Sequence, residues 1–412
     1  MRQFIRLWLP GLLVVGMAFG VRCAEAGTAG SLDTTFGTNG VTLTSVAGVN
    51  GIVNSMLMQG NDILVYVGGA AVLRYTPAGA LDATFGSNGI TVLATPIGGS
   101  LALQSNSQIV IGGVVTPSTG GAALGVERLN ANGAQDTAFG SGGLALVSLG
   151  TRAPNVGSAV LVQPDGNIVV CSTLISVGRG QPYQVALARF TSTGALDTTF
   201  GNQGLAIATG ANGCTALALL SNGDYLVVNS QAIAQFAANG AVRSAVTGGT
   251  VVATSQSSSA FEASIFQANG DYLLGTEVFI GEESRGHNSS GQVLRFTESG
   301  SPDPTFANLT FHYVGAGGSG IEALVRGVAV QPNGDIVAVG DQITFTQSGQ
   351  VSVNGLARLT PTGSLDPTFG NGGTLVNNLP ASSAVVSQPD GNIVTAGFGN
   401  NNTLTLARYL GK

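Results

Sequence analysis

The sequence predicts an all-β fold: a seven-bladed β-propeller of four-stranded antiparallel blades, closed by an N-terminal strand, Val41–Ser45, that completes the C-terminal blade. Three observations predict it. A six-residue phrase recurs seven times, a tight turn accompanies each copy, and an Arg stands eight residues before most phrase aspartates. Because internal repeats decide architecture, they are the first guide to this fold.

The phrase first occurs as Leu32–Gly37, Leu-Asp-Thr-Thr-Phe-Gly. Its further copies are Leu81–Gly86, Gln135–Gly140, Leu196–Gly201, Pro302–Ala307 and Leu365–Gly370, with a degenerate copy at Val242–Thr247. The phrase phenylalanines are spaced about 46 to 63 residues apart, which fits four-stranded blades of roughly 40–50 residues with insertions. Coils of a parallel β-helix are much shorter, and sandwich domains need about 100 residues each. The spacing therefore favours a propeller.

Each unit also carries a tight turn between two apolar runs. In unit three the predicted strands are Ser158–Gln163, Asn167–Ser172, Gln184–Phe190 and Gly204–Ala208. The turns are Gly60–Asp62, Asn106–Gln108, Pro164–Gly166, Asn222–Asp224, Asn269–Asp271, Asn333–Asp335 and Asp390–Asn392. Asn-Gly and Asp-Gly between apolar runs are strong hairpin signals. Nucleotide-binding or calcium loops are disfavoured, because no helix follows and most turns carry one carboxylate.

An Arg–Asp pattern accounts for the polar part of the phrase. The pairs are Arg74 and Asp82, Arg128 and Asp136, Arg189 and Asp197, Arg295 and Asp303, and Arg358 and Asp366. In unit four the corresponding residues are Gln235 and Arg243, so both members change together. Joint loss is what direct contact predicts, because an unpaired charge near a protein interior is costly. We expect these pairs to be structural rather than catalytic.

The same pattern predicts how the ring closes. The last unit supplies Arg408 with no phrase after it, and the first phrase supplies Asp33 with no Arg before it. The two residues therefore belong to one blade, with Val41–Ser45 beside Thr403–Tyr409. Such a closure leaves fewer open strand edges.

The N-terminus has the features of a secretory signal. Arg2 and Arg6 precede the apolar run Leu7–Val21, and Ala24–Ala26 offers a small-residue cleavage site. A single-pass anchor is the alternative, since the run is of borderline length. Arg22 fits poorly with lipid attachment at the next residue, a Cys. We expect residues 1–26 to be removed after Ala26, leaving one propeller domain, 27–412, in the periplasm or outside the cell.

Charge excludes two classes of partner. Charged residues make up 9% of the chain, and removal of residues 1–26 leaves 12 basic against 20 acidic residues. Nucleic-acid binding lacks a basic stripe, and attraction to an anionic membrane is disfavoured for the same reason. We expect a monomer that binds no nucleic acid, no membrane after signal cleavage, no metal and no cofactor.

Cys171 and Cys214 remain after signal cleavage, near strand ends of consecutive units. An oxidising compartment would permit a disulfide between them, but strand register decides whether their side chains can meet. We favour two buried free thiols.

A family resemblance rests on residues already described. Gln163–Val170, Leu187–Phe190 and Leu196–Gly201 together resemble the delta-60 repeat of secreted or surface bacterial β-propellers. The resemblance covers nearly the whole mature chain, and unit four is its clear departure. It implies a fold and a compartment, and it supplies no catalytic residues.

Function is expected on one face of the disk. The first and third turns of each blade share a uniform face, and the second connections and the links between blades share a variable one. Rigid elements that hold variable loops are typical binding platforms. The predicted insertions are Ser172–Pro182, Thr276–Ser290 and Asp341–Ser352, and the links are Gly248–Ser259 and Leu309–Gly320.

The candidate ligand residues lie in these insertions or directly after them. They are Arg179, Tyr183, Glu282, Glu283, Arg285 and His287. Two carboxylates and an imidazole have the chemistry for a metal site or an acid–base pair, and His312 is the second histidine. A solvated charge run is the interpretation that we favour, because no zinc-type spacing or nucleophile elbow is present.

Two functions remain open at this point. The first is a non-enzymatic binding or scaffold module for a protein, glycan or cell-surface polymer. The alternative is an extracellular hydrolase or lyase acting on a polysaccharide or another small cyclic substrate. Two histidines and a single Trp, at Trp8 in the signal, disfavour the enzyme. We favour the binding module.

Overall fold

The computed structural model describes residues 27–49, 51–116, 121–150, 153–175, 184–209, 213–228, 233–245, 261–267, 269–283, 286–313, 321–346, 349–399 and 402–412. Within these ranges the chain forms 28 strands and no helix. The strands build seven antiparallel four-stranded sheets. The fold is a seven-bladed propeller, as predicted. The strand that precedes the first turn of each unit lies nearest the central axis, where it contacts the corresponding strands of the neighbouring blades.

Blades one to three follow the chain order. Blade one contains β2 (Val53–Gln59), β3 (Asp62–Val67), β4 (Ala71–Tyr75) and β5 (Ile90–Val92). Blade two contains β6 (Ile97–Leu103), β7 (Ile109–Val115), β8 (Ala123–Leu129) and β9 (Leu144–Ser148). Blade three contains β10 (Ala153–Val162), β11 (Ile168–Ile175), β12 (Gln184–Phe190) and β13 (Leu205–Thr209). The predicted strands of unit three are thus present with shifted ends.

Blades four to six continue the series. Blade four contains β14 (Ala216–Leu219), β15 (Tyr225–Val228), β16 (Ile233–Phe236) and β17 (Val242–Ala245). Blade five contains β18 (Phe261–Phe266), β19 (Tyr272–Glu283), β20 (Gly286–Phe296) and β21 (Thr310–Phe311). Blade six contains β22 (Ile321–Val330), β23 (Ile336–Thr346), β24 (Gly349–Leu359) and β25 (Thr374–Asn377). Blade four has the shortest inner strands, and blades five and six have the longest middle ones.

Blade seven joins the two ends of the chain. It contains β26 (Ser382–Ser387), β27 (Ile393–Phe398), β28 (Thr403–Tyr409) and the outer strand β1 (Val41–Ser45). β1 pairs with β28 from Val41 opposite Ala407 to Ser45 opposite Thr403, so the predicted closure is confirmed.

The third turn of blade seven is built from both ends of the chain. The Gly30 amide donates to the Leu410 carbonyl at 2.8 Å, and the Leu410 amide donates to the Ser31 carbonyl at 2.9 Å. In blade one the comparable bonds join Gly79 to Thr76 and Thr76 to Ala80 within one continuous turn. The split turn therefore reproduces the hydrogen bonding of an unbroken one.

The core lies between neighbouring blades. Phe36, Phe85, Phe139, Phe200 and Phe369 are fully buried, and Phe306 is 4% exposed. Burying each aromatic side chain contributes about 1.5–3 kcal/mol to folding. The packing between sheets therefore repeats with the phrase and makes it the main apolar anchor of the ring.

Two insertions differ from the prediction. We expected Thr276–Ser290 and Asp341–Ser352 to be loops, but both extend the ladders of their blades. β19 pairs with β20 from Tyr272 opposite Phe296 to Glu283 opposite Gly286, and β23 pairs with β24 out to Thr346 opposite Gly349. Alternation of apolar and polar residues, as in Ile343 and Phe345, favours such strands. Of the insertion Ser172–Pro182, residues 172–175 lengthen β11 and the rest lies outside the described ranges.

The preference for free thiols was wrong. Cys171 in β11 and Cys214 before β14 form a disulfide with their Cα atoms 6.1 Å apart, a usual separation for such a bond. Cys171 faces blade four from the second strand of blade three, so the two side chains meet across the junction. A disulfide therefore joins blades three and four.

Candidate functional site

The turn face of the disk carries the first and third turns of each blade and is nearly uniform. The structure places each predicted Arg beside its Asp, with the Arg Nε 2.6–2.8 Å from the carboxylate in five blades. In blade seven the Arg408 Nη2 lies 2.8 Å from Asp33. The pairs are largely buried, so each charge is compensated where water is scarce.

Each guanidinium also stacks on the phrase Phe of its own blade. The Arg carbon Cζ lies 4.5–5.0 Å from the ring centroid in six blades. A cation over an aromatic face at this distance gains about 0.5–2 kcal/mol. The Asp and the Phe of the phrase therefore act on the same Arg.

The phrase aspartates are held in their ionised form. Burial alone would raise the pKa of Asp33, but hydrogen bonds from Thr35 and the nearby Arg408 charge bring it below its ordinary value. In Asp82 the hydrogen bonds from Thr84 are the main cause of a lowered pKa. The phrase Thr thus orients the carboxylate that faces the Arg.

Sequence reasoning missed a glutamine on this face. A Gln precedes the first turn in six of the seven units, and this recurrence was the available signal. The Gln59 side chain donates to the Ser107 carbonyl of blade two at 2.8 Å, and Gln331 donates to Gly391 of blade seven at 2.5 Å. The Gln59 Oε1 also accepts from Arg74 at 2.8 Å. The glutamines therefore link neighbouring blades.

Unit four does not simply lack charges, as the sequence suggested. Arg243 forms an ion pair with Asp224 of the first turn at 2.7 Å, and the Gln235 amide donates to the same carboxylate at 3.1 Å. Asp224 is 2% exposed, whereas the Arg243 side chain is 56% exposed. In unit four the ion-paired carboxylate therefore belongs to the first turn instead of the phrase, and the paired Arg is more exposed than in the other units.

The variable face is raised at blades five and six. We define the raised rim as the described parts of these two middle hairpins that extend beyond the described strands of the other blades: residues 276–283, 286–292, 341–346 and 349–354. Both hairpins join the second and third strands of their blades, so they rise on the same side.

The raised rim is fixed to the propeller by close packing. Gly275 and Gly291 lie so near Val325 that an added Cβ would overlap or crowd its side chain. The buried Tyr313 hydroxyl donates to the Leu324 carbonyl at 3.3 Å. The base of the raised rim is therefore rigid, as a preorganised binding surface requires.

Polar groups gather where the two hairpins meet the disk. A β-bulge between Val325 and Gly327 carries Arg326, whose Nε is hydrogen-bonded to the largely buried Asp341. The Ser290 hydroxyl lies 3.0 Å from the Nε2 of His312. Partial desolvation lowers the pKa of this imidazole. Desolvation, rather than the contact with Ser290, therefore favours the neutral form of His312.

The candidate ligand residues fall in different places. Glu282 and His287 occupy facing positions in the ladder of β19 and β20, and Glu283 faces Gly286. All three lie at the end of the raised rim. Arg179, Tyr183 and Arg285 lie outside the described residues, as does the link Gly248–Ser259. Residues 310–311 of the link Leu309–Gly320 form β21 instead.

The outer edge of β24 is open in the raised rim. β25 pairs with β24 from Asn354 to Ala357 only, so residues 350–353 have β23 on one side and no described strand on the other. Gly349, Gln350, Val351 and Ser352 are exposed, and none carries a charge. Sequence reasoning missed this edge because it treated the segment as a loop. An unpaired, uncharged edge is a template for strand addition.

Metal centres and membrane spans are two other kinds of site. Among the described residues no group of three or more His, Cys, Asp or Glu side chains is arranged to hold a metal ion. The same part of the chain contains no helix long and apolar enough to cross a bilayer.

Three of the units match a known family. A family model described as "Domain of unknown function (DUF5122) beta-propeller" matches residues 104–139, 163–200 and 331–369. Each match begins at a glutamine before the first turn and ends at a phrase Phe. The matched unit therefore contains the Gln, Arg, Asp and Phe whose contacts are described above. No curated protein matches the chain in sequence.

Three solved structures are similar in overall shape. BamB from Moraxella catarrhalis is 11% identical with a TM-score of 0.40 over 90% of this chain and 100% of its own. The computationally designed Ika8 protein is 12% identical with a TM-score of 0.43 over 89% and 98%. The calcium-binding protein regucalcin from Agrobacterium tumefaciens is 13% identical with a TM-score of 0.34 over 60% and 69%. Similarities at this level transfer no function.

Proposed function

We propose that the protein is a secreted or cell-surface propeller that serves as a non-enzymatic binding module through its variable face. The observation that carries the proposal is the raised rim, which extends two neighbouring blades on one side of the disk only. Its open edge in β24 offers main-chain donors and acceptors that no described strand uses. A rigid platform with one raised, variable region is typical of binding proteins.

The chemistry of the open edge of β24 favours a polar, uncharged or weakly charged partner. Gln350 and Ser352 are exposed beside Val351, which is 49% exposed. A strand of a partner protein could add to this edge through main-chain hydrogen bonds. A glycan or cell-surface polymer could instead use the amides and hydroxyls.

The same proposal places the protein in an oxidising compartment, the periplasm or the outside of the cell. A disulfide between Cys171 and Cys214 supports an oxidising environment, where such bonds persist. The signal-like residues 1–26 and the delta-60 resemblance point the same way. On this view residues 27–412 act as one monomeric domain that binds neither nucleic acid nor membrane.

The test is to shorten the raised rim without touching its base. Replacing residues 280–288 by Asn-Gly joins Phe279 to Ser289, which face each other in the ladder, through a two-residue turn that suits a hairpin. We expect the shortened protein to keep its melting temperature within about 2 °C, because these residues lie beyond the packed base. Envelope and medium fractions of the native culture, passed over both immobilised proteins, should lose at least one bound component with the shortened form.

Two further variants sharpen the result. Val351→Lys places a charge at the open edge and should weaken binding of a partner strand. Asp165→Ala lies on the turn face and should leave the bound components unchanged. Equal capture by the shortened, Val351→Lys and Asp165→Ala proteins would show that the variable face is not the binding surface.

A further inference from the structure

Within the described residues, six of the seven junctions between blades are joined by the same kind of bond. The Arg Nη1 of one blade donates to a main-chain carbonyl in the third turn of the next. The bonds run from Arg74 to Ala131 (2.7 Å), Arg128 to Ser192 (2.6 Å), Arg189 to Ala238 (2.8 Å), Arg295 to Pro361 (2.7 Å), Arg408 to Pro77 (2.6 Å), and Arg358 to Gly411. A charged donor makes each bond stronger than a neutral one. We call this bond the arginine clamp.

The described part of the junction between blades four and five has no arginine clamp. Gln235 stands in place of the Arg, and its amide donates to Asp224 of its own blade at 3.1 Å. Arg243 also pairs with Asp224. Both polar side chains therefore act within blade four. On the turn face this junction is crossed instead by a bond from the Ser221 amide to the Glu298 carboxylate of the exposed third turn.

The absence of an arginine in blade four affects the buried hydroxyl of a tyrosine in blade five. Tyr225 of blade four and Tyr272 of blade five occupy the same position after an Asn-Gly-Asp turn. The Tyr225 hydroxyl accepts a hydrogen bond from Arg189 of blade three at 3.3 Å. The Tyr272 hydroxyl is buried without a partner among the described residues, because the residue that corresponds to Arg189 is Gln235. A buried unsatisfied hydroxyl destabilises the interface that contains it.

Blade four is held much more firmly on its other side. The junction with blade three has the arginine clamp of Arg189 and the disulfide between Cys171 and Cys214. The contrast between the two sides of blade four is therefore large. It does not depend on the apolar core, which is continuous at both junctions.

We infer that the junction between blades four and five is the place where the ring opens first. The opening parts blade four from blade five while blade four stays attached to blade three. It exposes the apolar surface of Leu226 and Val228 on one side and Leu274 and Phe296 on the other. β1 and β28, which close the ring elsewhere, remain paired in this state.

Native-state hydrogen exchange of the intact mature protein tests the inference directly. Parting of the two blades removes the packing that protects one face of each sheet, so the ladder bonds of these sheets break and their amides exchange before the rest of the protein unfolds. Amides of Tyr225–Val228 and Tyr272–Leu274 should exchange roughly tenfold faster than those of Ile168–Cys171 and Ile336–Val339. Equal protection in the four segments would overturn the inference.

Two variants move the effect in opposite directions. Gln235→Arg with Arg243→Asp restores the repeat pattern in blade four, gives Tyr272 a donor and should slow exchange at this junction. We expect Asp224 to accommodate an Arg at position 235. In blade one the equivalent residues, Asp62 and Arg74, lie 3.9 Å apart. Arg295→Gln with Asp303→Arg copies the blade-four residues into blade five, which has Asp271 at the turn, and should speed exchange between blades five and six. If neither variant changes local exchange, the clamp does not set where the ring opens. The wild-type comparison stands even if a variant fails to fold.

Discussion

At the scale of single residues, one guanidinium explains most of the repeated sequence. Arg358 bonds Asp366 through Nε at 2.8 Å and Thr368 through Nη2 at 3.0 Å, and it lies 4.8 Å from the centre of the Phe369 ring. It also donates to Gly411 of the next blade. With its side chain 4% exposed, the Arg needs all of these partners in place of water. In unit four, where the Arg is absent, the Asp, Thr and Phe that contact it in the other units are therefore no longer required.

Glu127 is a buried carboxyl that the repeat does not explain. It is 2% exposed, and it accepts a hydrogen bond from the side-chain amide of Gln135 at 3.3 Å. Equivalent positions in other blades hold Leu73, Ala188 or Leu294. Burial raises the pKa of Glu127 to about 7.

Glu127 makes stability depend on pH in a defined direction. Its pKa in the folded state exceeds the ordinary value, so its protonated form favours folding. Stability from this group is fully present below pH 4.5 and is lost as pH rises to about 7. We expect Glu127→Gln to raise the free energy of unfolding at pH 8 by about 2 kcal/mol and to change it little at pH 4.5. Urea unfolding at both pH values measures this difference.

The exposed Asp165→Asn variant is the control for the pH experiment. Asp165 lies at the surface of a first turn and the substitution leaves Glu127 in place, so the gain at pH 8 that is specific to Glu127→Gln should be absent. A Glu127→Gln protein with the same gain at pH 4.5 and pH 8 would show that packing, rather than charge, is the cause.

At the scale of elements, the disulfide is the strongest local constraint on blade four. It closes a segment with a sequence separation of 43 residues. Cross-linking a loop of this length stabilises a protein by about 3–4 kcal/mol, mainly through the unfolded chain. We expect the double variant Cys171→Ala and Cys214→Ala to melt at a lower temperature than the oxidised protein. Calorimetry with and without a reductant measures the effect.

The reductant provides the control for the cysteine variant. It should lower the melting temperature of the wild type and leave the double variant unchanged. A wild-type melting temperature that does not respond to full reduction would contradict a stabilising disulfide. It would also remove one support for an oxidising compartment.

The strands of the raised rim could not be predicted from the local sequence. Asn-Gly and Asp-Gly turns predicted the first hairpin in five of the seven blades, because these residues adopt the positive φ that the turn requires. The ends of β19 and β23 carry weaker signals, and their strands are set by packing on β22 through residues such as Gly275 and Val325. Such long-range contacts leave little trace in local sequence.

At the scale of the whole molecule, closure rests on the pair of Asp33 and Arg408 and on β1. We expect Asp33→Arg to lower the melting temperature by about 5–10 °C, because it sets two positive charges together in a buried position. Removal of residues 27–45 should act in the same direction and leave one edge of β28 open. Thermal unfolding followed by circular dichroism measures both.

A matched charge reversal tests whether position matters. Asp390→Arg lies on an exposed first turn of the same blade and should cost little stability. If the protein without residues 27–45 melts like the intact one, β1 does not hold the ring shut.

The architecture could be predicted from the sequence because the residues that make the same contacts recur in six of the seven units. Asp33 and Arg408 could be assigned to one blade from the repeat pattern alone, since each lacked a neighbour in its own unit. The disulfide could not, because it depends on how Cys171 and Cys214 face each other across two sheets. The open edge of β24 depends likewise on where β25 ends, at Asn377 opposite Asn354. The repeat pattern could not predict such features, because each occurs only once.

The split turn of blade seven has a consequence for how the protein is made. β1 precedes the other strands in the chain and its partner β28 follows them, and Thr35 and Arg408 lie 373 positions apart. Six blades can assemble from nearby segments as they appear, whereas β1 must wait until β28 has been made. Contacts between such distant segments are slow to form. We therefore expect β1 to pair with β28 after the other six blades have assembled, and until then both strands are open to pairing with other chains.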